Sequence, residues 1–273
     1  MPGAGLPTAA PIPTPSGDKM NIGCKVHGYG PTKLLLLHGW LSDHSIYSTV
    51  LGYFDHDRYS VALMDYRGYG MSSDKNGDFT LDEVAEDALH LTAALGWKSF
   101  HVIGHSMGGM VAQKMALRAP ERLVSLIAIT PVPSSGFALD TATQDFFESS
   151  ATSDHALTEI FNTLTGKRHS TKLLQNLTKS ARASSTTPAF LAYLQEWTRT
   201  DFSQTTQGLA TPTLVIGGKH DGAIGQQLLT DTYLRWLPNA NLVMIDGAGH
   251  YPMIETPLEF FTLLDQHLTQ LGA

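Results

Sequence analysis

A chain of 273 residues is long enough for one large α/β domain with room for an inserted subdomain. With 42% hydrophobic and 16% charged residues it can bury a sizeable core, and a net charge of −7 without a basic cluster argues against nucleic acid or an anionic membrane as partner. A single cysteine, Cys24, allows no internal disulfide and suits a reducing cytoplasm, and no apolar run reaches the length of a membrane span.

The first residues, Met1 to Pro15, are rich in Pro, Ala and Gly and lack the positive start and apolar run of a secretory signal, so residues 1–17 read as a flexible arm. Short apolar runs bounded by turn residues then predict strands at Met20–His27, Lys33–Leu37, Tyr59–Asp65, Ser99–Ile103, Leu123–Thr130, Thr213–Gly217 and Asn241–Ile245. Helical patterns alternate with them. Thr80-Leu81-Asp82-Glu83 reads as a capping box opening a helix that Gly96 ends. Thr256-Pro257-Leu258-Glu259 reads as a second box, its helix placing Leu258, Phe261, Leu264 and Leu268 on one face. Strand–helix alternation implies a mostly parallel sheet covered on both sides. It breaks between about Pro133 and Gly208, where four amphipathic segments stand near Ala142–Ser149, Asp154–Thr165, Ser170–Ala183 and Pro188–Thr200. The organisation read from this is a core of residues 18–132 and 209–273 with a helical cap, 133–208, over the strand C-termini, where open α/β sheets bind ligands.

The run Gly104-His105-Ser106-Met107-Gly108 sits between a predicted strand and a predicted helix. Small residues on each side of Ser106 permit a sharp strand-to-helix turn that projects its hydroxyl. The pattern alone is common in a chain with 25 glycines; its flanks and partners give it weight. A serine nucleophile needs a base, and the base an orienting acid. Asp221 and His250 follow the two last predicted strands in the order Ser, Asp, His. Asp246 is the nearest rival acid, and Thr130-Pro131, at the end of the preceding strand, carries no carboxylate.

Of the twelve histidines, His38 and His101 read as structural, His105 as turned away from the serine, His220 as a surface residue and His44 as a possible pocket residue. Cys24 reads as a small core residue. An oxyanion needs two donors: the Met107 N–H at the helix start, and the Trp40 N–H exposed by the turn at Gly39.

These pieces, together with Asp65-Tyr66-Arg67-Gly68-Tyr69-Gly70-Met71-Ser72 and Ala119-Pro120-Glu121-Arg122-Leu123, resemble the α/β-hydrolase superfamily from about Met20 to Leu268. Within it the chain is most similar to small serine carboxylesterases and arylesterases grouped with cofactor-free haloperoxidases and enol-lactone hydrolases. The resemblance implies an α/β-hydrolase fold and no cofactor or metal. It also assigns the oxyanion donors to Trp40 and Met107. Epoxide hydrolases and haloalkane dehalogenases carry an aspartate where Ser106 stands.

The expected activity is hydrolysis of small hydrophobic or aromatic esters or lactones by Ser106, Asp221 and His250, in the cytoplasm and without an obligate protein partner. The expected pocket comprises Trp40, Leu41, Met107, Phe137, Phe190, Tyr193, Trp197, Ile224 and Tyr251. Two alternatives stand beside it. The run Gly39-Trp40-x-x-Asp43-His44 resembles a loop of cofactor-free ring-cleaving dioxygenases, and hydrolase scaffolds also serve as ligand receptors.

Overall fold

The computed structural model describes residues 22–272. The N-terminal arm and the first two residues of the first expected strand lie outside the described residues.

Seven strands form one sheet: β1 (Cys24–His27), β2 (Thr32–Leu37), β3 (Tyr59–Met64), β4 (Phe100–His105), β5 (Leu123–Ile129), β6 (Thr213–Gly218) and β7 (Ala240–Ile245). Their order is β1-β3-β2-β4-β5-β6-β7. Only the β1–β3 pair is antiparallel. Every residue of β3, β4 and β6 is buried. Side chains alternate between the faces of a strand, so both faces of the sheet are covered there. The six parallel strands all deliver their C-termini to one edge, and the loops that leave that edge carry the chemistry described below.

The helices follow from local signals, with two corrections. The first box forms half as expected. Thr80 Oγ1 accepts the Glu83 N–H at 3.1 Å and opens α1 (Leu81–Ala94), but the Glu83 carboxylate reaches back to the Phe79 N–H at 2.9 Å. The second box does not form. Thr256 Oγ1 donates instead to the Pro252 carbonyl of the short α9 (Pro252–Glu255), which ends immediately before α10 (Pro257–Gln270). The buried face of α10 is Phe260, Leu264 and Leu268, whereas Leu258 in its first turn is 66% exposed.

Helix α2 (Met107–Arg118) follows β4 directly. Between β5 and β6 run α3 (Thr141–Ser149), α4 (Asp154–Leu164), α5 (Thr171–Ser184), α6 (Thr187–Arg199) and the single turn α7 (Ser203–Thr206), and the short α8 (Gln226–Leu229) follows β6. This insert packs on the loops at the strand C-termini, with the Trp40 Nε1–H donating to the Phe190 carbonyl of α6 at 2.7 Å. The expectation of no basic cluster fails locally. Lys167, Arg168, Lys172, Lys179 and Arg182 fall in a stretch without Asp or Glu, a run that the net charge conceals. Arg168 and Arg182 are neutralised by Glu255 and Asp154.

Candidate active site

Ser106 sits between β4 and α2 with φ 54° and ψ −118°, a left-handed conformation rare outside glycine. Its neighbours make that turn possible. A Cβ on Gly104 would lie 2.2 Å from the Gly108 carbonyl oxygen, so only glycine lets the strand and helix approach so closely. The turn is pinned by hydrogen bonds from the Ser106 N–H to the Ile129 carbonyl and from the Val132 N–H to the Ser106 carbonyl, at 2.9 and 3.2 Å.

His250, beyond β7, and Asp221, beyond β6, meet at 2.6 Å between Nδ1 and Oδ2. A carboxylate only accepts, so Nδ1 carries a proton, and in the neutral ring Nε2 is the acceptor. The other oxygen, Oδ1, accepts the Ala223 and Ile224 N–H groups at 2.9 and 3.0 Å. The Asp221 side chain is wholly buried, and three donors offset the burial of its charge. The rival Asp246 is exposed and pairs with Lys219. Among the described residues no hydrogen bond joins Ser106 to His250; the two share one cavity. Such contacts are often long in unliganded enzymes and tighten with substrate.

The loop after β2 has an unexpected construction. Four successive carbonyls each accept a side-chain donor. Tyr47 Oη donates to Leu37, Tyr66 Oη to His38, His38 Nδ1 to Gly39 and Tyr69 Oη to Trp40, at 2.7–2.9 Å. The Trp40 N–H takes no acceptor among the described residues. A peptide N–H points opposite its C=O, so anchoring the Gly39 carbonyl to His38 aims the Trp40 N–H the other way. A Cβ on Gly39 would stand 3.1 Å from Ser106 Cβ, which places this loop against the serine. Met107, first residue of α2, has no intrahelical acceptor for its own N–H.

Four of the other histidines, His38, His44, His101 and His105, are held in structural contacts. His38 is buried and stacked on Tyr66 at 3.8 Å, and burial holds its pKa below the usual value. His105 donates Nε2–H to the His250 carbonyl at 2.8 Å, and burial beside His250 keeps it neutral. His44 does not line the cavity; it pairs with buried Asp65 at 2.7 Å. His101 bonds Ser125, and His220 is exposed. Cys24 is partly buried, and burial pushes its thiol up to about 12.

The cavity at Ser106 holds about 530 Å³ of space, mouth included. Trp40, Leu41, Phe137, Trp197, Ile224 and Tyr251 line it as expected. The insert adds Leu139, Phe147, Ile160 and Leu164. Phe190 and Tyr193 do not line it. Phe190 packs behind the Trp40 ring at 4.3 Å, and Tyr193 is buried against Tyr66, Tyr69 and Phe79. Met107 is absent from the wall too; its side chain is buried in the core.

A family model described as the α/β hydrolase fold matches residues 33–257. The chain belongs to that family. It is 28% identical over 256 residues to the pimeloyl-[acyl-carrier protein] methyl ester esterase of Nitrosomonas europaea, covering 90% of this chain and 98% of the relative. Among solved structures it is similar to a bromoperoxidase from Bacillus anthracis, with TM-score 0.82, 23% identity and coverage of 90% and 94% of the two chains. It is likewise similar to the enol-lactonase from Burkholderia xenovorans LB400, with TM-score 0.80, 19% identity and coverage of 91% and 96%. At these identities the structural likeness speaks to the fold.

Three kinds of residue in this hydrolase escaped the sequence reading: the tyrosines that anchor the loop after β2, Thr130, and Glu255. Tyr66 and Tyr69 belong to the Asp65–Ser72 motif, but a motif does not say which carbonyl a phenol reaches. Thr130 holds φ 39°, and its hydroxyl donates to the His250 carbonyl at 2.8 Å. Glu255 accepts the N–H groups on both sides of His250.

Proposed function

We propose that this α/β hydrolase is a serine esterase or lactonase, cleaving small hydrophobic or aromatic carboxylic esters or lactones through an acyl-enzyme. In this reading His250 Nε2 takes the Ser106 proton as Oγ attacks the carbonyl carbon. Asp221 stabilises the imidazolium that forms, and the Trp40 and Met107 N–H groups receive the oxyanion. His250 then protonates the departing alkoxide, and water, deprotonated by His250, releases the acid. In a lactone the departing oxygen remains tethered to the acyl group. The observation that carries the reading is the buried Asp221–His250 pair at 2.6 Å opening into the cavity that Ser106 lines.

The cavity wall supports the substrate class. His250 is its sole potentially charged partner beside the buried His105, and the rest is aliphatic, aromatic and hydroxyl. A charged acyl group would be desolvated there without a counter-ion. The Nitrosomonas relative is a methyl ester esterase, which favours an ester bond. We read residues 133–208 as a cap that selects the acyl group, residues 18–132 and 209–273 as the catalytic core, and residues 1–17 as a dispensable arm. No helix among the described residues is long and apolar enough to cross a membrane, and the lone cysteine favours a cytoplasmic setting.

A fluorophosphonate probe followed by peptide mass spectrometry tests the mechanism. The expected adduct is on Ser106, and hydrolysis of aryl and alkyl esters should fall roughly 10⁴-fold or more in Ser106→Ala and in His250→Ala. An unlabelled Ser106, or ester turnover surviving Ser106→Ala, sinks the reading. Oxygen uptake with a heteroaromatic substrate that survives the same substitution would support ring cleavage instead.

A further inference from the structure

His250 is held by its backbone as firmly as by its imidazole. Three successive N–H groups are engaged. Gly249 donates to Glu255 Oε2 and Tyr251 to Glu255 Oε1, both at 3.0 Å, and His250 itself donates to the Leu164 carbonyl at the end of α4, also at 3.0 Å. One carboxylate thus receives the two amides that flank the base and sets the curvature of the loop between them.

Glu255 is an unusual group to find there. Its side chain is 1% exposed, and a buried carboxylate is expensive unless fully partnered. Two further donors complete its shell: Arg168 Nη2 at 2.9 Å and His169 Nε2 at 2.8 Å. Both belong to the loop joining α4 to α5. Arg168 also donates to the Gly247 carbonyl at 3.0 Å, so it grips the same loop at a second point. Packing alone does not require this arrangement. An apolar residue at 255 could fill the space, but it would orphan the amides of Gly249 and Tyr251.

The geometry points to Glu255 as a positioning residue for His250, and through Arg168 and His169 it makes the placement of the base depend on the seating of the α4–α5 loop. This rests on the serine-hydrolase reading. Asp221 orients the imidazole about its own bonds, and Glu255 fixes the backbone from which the imidazole projects. Displacement of the α4–α5 loop therefore reaches Nε2 through two hydrogen bonds to one carboxylate, and substrate that lifts the insert loosens the base until the insert reseats.

The test compares wild-type protein with Glu255→Gln and Arg168→Met. Glutamine offers one acceptor oxygen where two amides need two. Arg168→Met leaves the carboxylate, both amides and the His169 contact in place and removes the insert's hold through Arg168 on Glu255 and Gly247. For a small soluble ester, kcat per labelled Ser106 should fall about 10- to 100-fold in Glu255→Gln with KM within about threefold, and by a smaller factor in Arg168→Met. The proton between His250 Nδ1 and Asp221 supplies a readout independent of turnover. Its far-downfield NMR resonance should shift or broaden in both variants. A purely structural Glu255 would lower the melting temperature while leaving kcat per labelled serine within twofold and the resonance unmoved; that result overturns the proposal. If Glu255→Gln does not fold, Arg168→Met decides alone by the same two readouts. A wild-type protein that neither labels nor hydrolyses esters sinks the hydrolase reading, and the resonance then still decides whether Glu255 positions His250.

Discussion

Ser106 and Thr130 both hold φ in the left-handed region, at 54° and 39°, and neither is glycine. For a β-branched residue this is a genuine outlier, worth on the order of 1–3 kcal/mol of local strain. The compensation lies in what the strain achieves. The Thr130 hydroxyl reaches the His250 carbonyl, which His105 also binds. Thr130→Val keeps the shape and removes the donor, so kcat should fall about tenfold, and Thr130→Ser should recover most of it, as read by steady-state kinetics on one ester. The sequence reading reached Ser106, Asp221 and His250 because each follows a strand in a fixed chain order. It weighed Thr130 only as a missing carboxylate, since neither a backbone angle nor a bond to a residue 120 positions away leaves a mark on local pattern.

At the scale of elements, the end of β2 and the loop after it form a short buried segment whose carbonyls are tied down by three phenols and an imidazole. Tyr69→Phe orphans the Trp40 carbonyl and Tyr66→Phe the His38 carbonyl. Each should cost about 1–3 kcal/mol in denaturant unfolding. If the loop supplies an oxyanion donor, each should also lower kcat more than it raises KM. Apart from β1, expected from Met20 but starting at Cys24, strands were legible to within two residues, because doubly buried parallel strands are short, uniformly apolar and bounded by turn residues. Helix faces were less so. In α10, apolar residues at 258, 260, 261, 264 and 268 fit more than one phase, and the stop before Pro257 turned Leu258 outward. In α6, Phe190, Tyr193 and Trp197 share a face, yet only Trp197 reaches the cavity. Phe190 packs behind the Trp40 ring, and Tyr193 packs against Tyr66, Tyr69 and Phe79. Trp197→Ala should therefore widen the acyl preference toward bulkier esters, seen as a changed ratio of kcat/KM across an acyl series, whereas Tyr193→Ala should mainly destabilise.

For the whole molecule, buried neutral histidines set the response to acid. Burial lowers the pKa of His38, His105 and His267, and brings His101 to about 4, with His267 adding to the effect at His101. These side chains are neutral in the folded protein at pH values where the unfolded chain protonates them. The unfolded state therefore binds more protons, and stability falls as pH drops below about 6.5, the His101 share being spent near pH 4. Urea unfolding at pH 7 and pH 4.5 measures it. His101→Asn, which keeps a polar group toward Ser125, should shrink the difference by on the order of 2 kcal/mol. An unchanged difference would mean that His101 titrates normally.

The strand order has a consequence for the making of the protein. The serine turn is built from β4 and α2, but Asp221 and His250 stand beyond β6 and β7, on the far side of the insert. A growing chain emerging from the ribosome can complete the turn at Ser106 while nothing yet exists to take its proton. If His250 is the base of the proposed mechanism, the hydroxyl stays an ordinary alcohol until the segment bearing His250 docks. Under the proposed mechanism the serine is thus armed last, when the final two strands close the far side of the sheet.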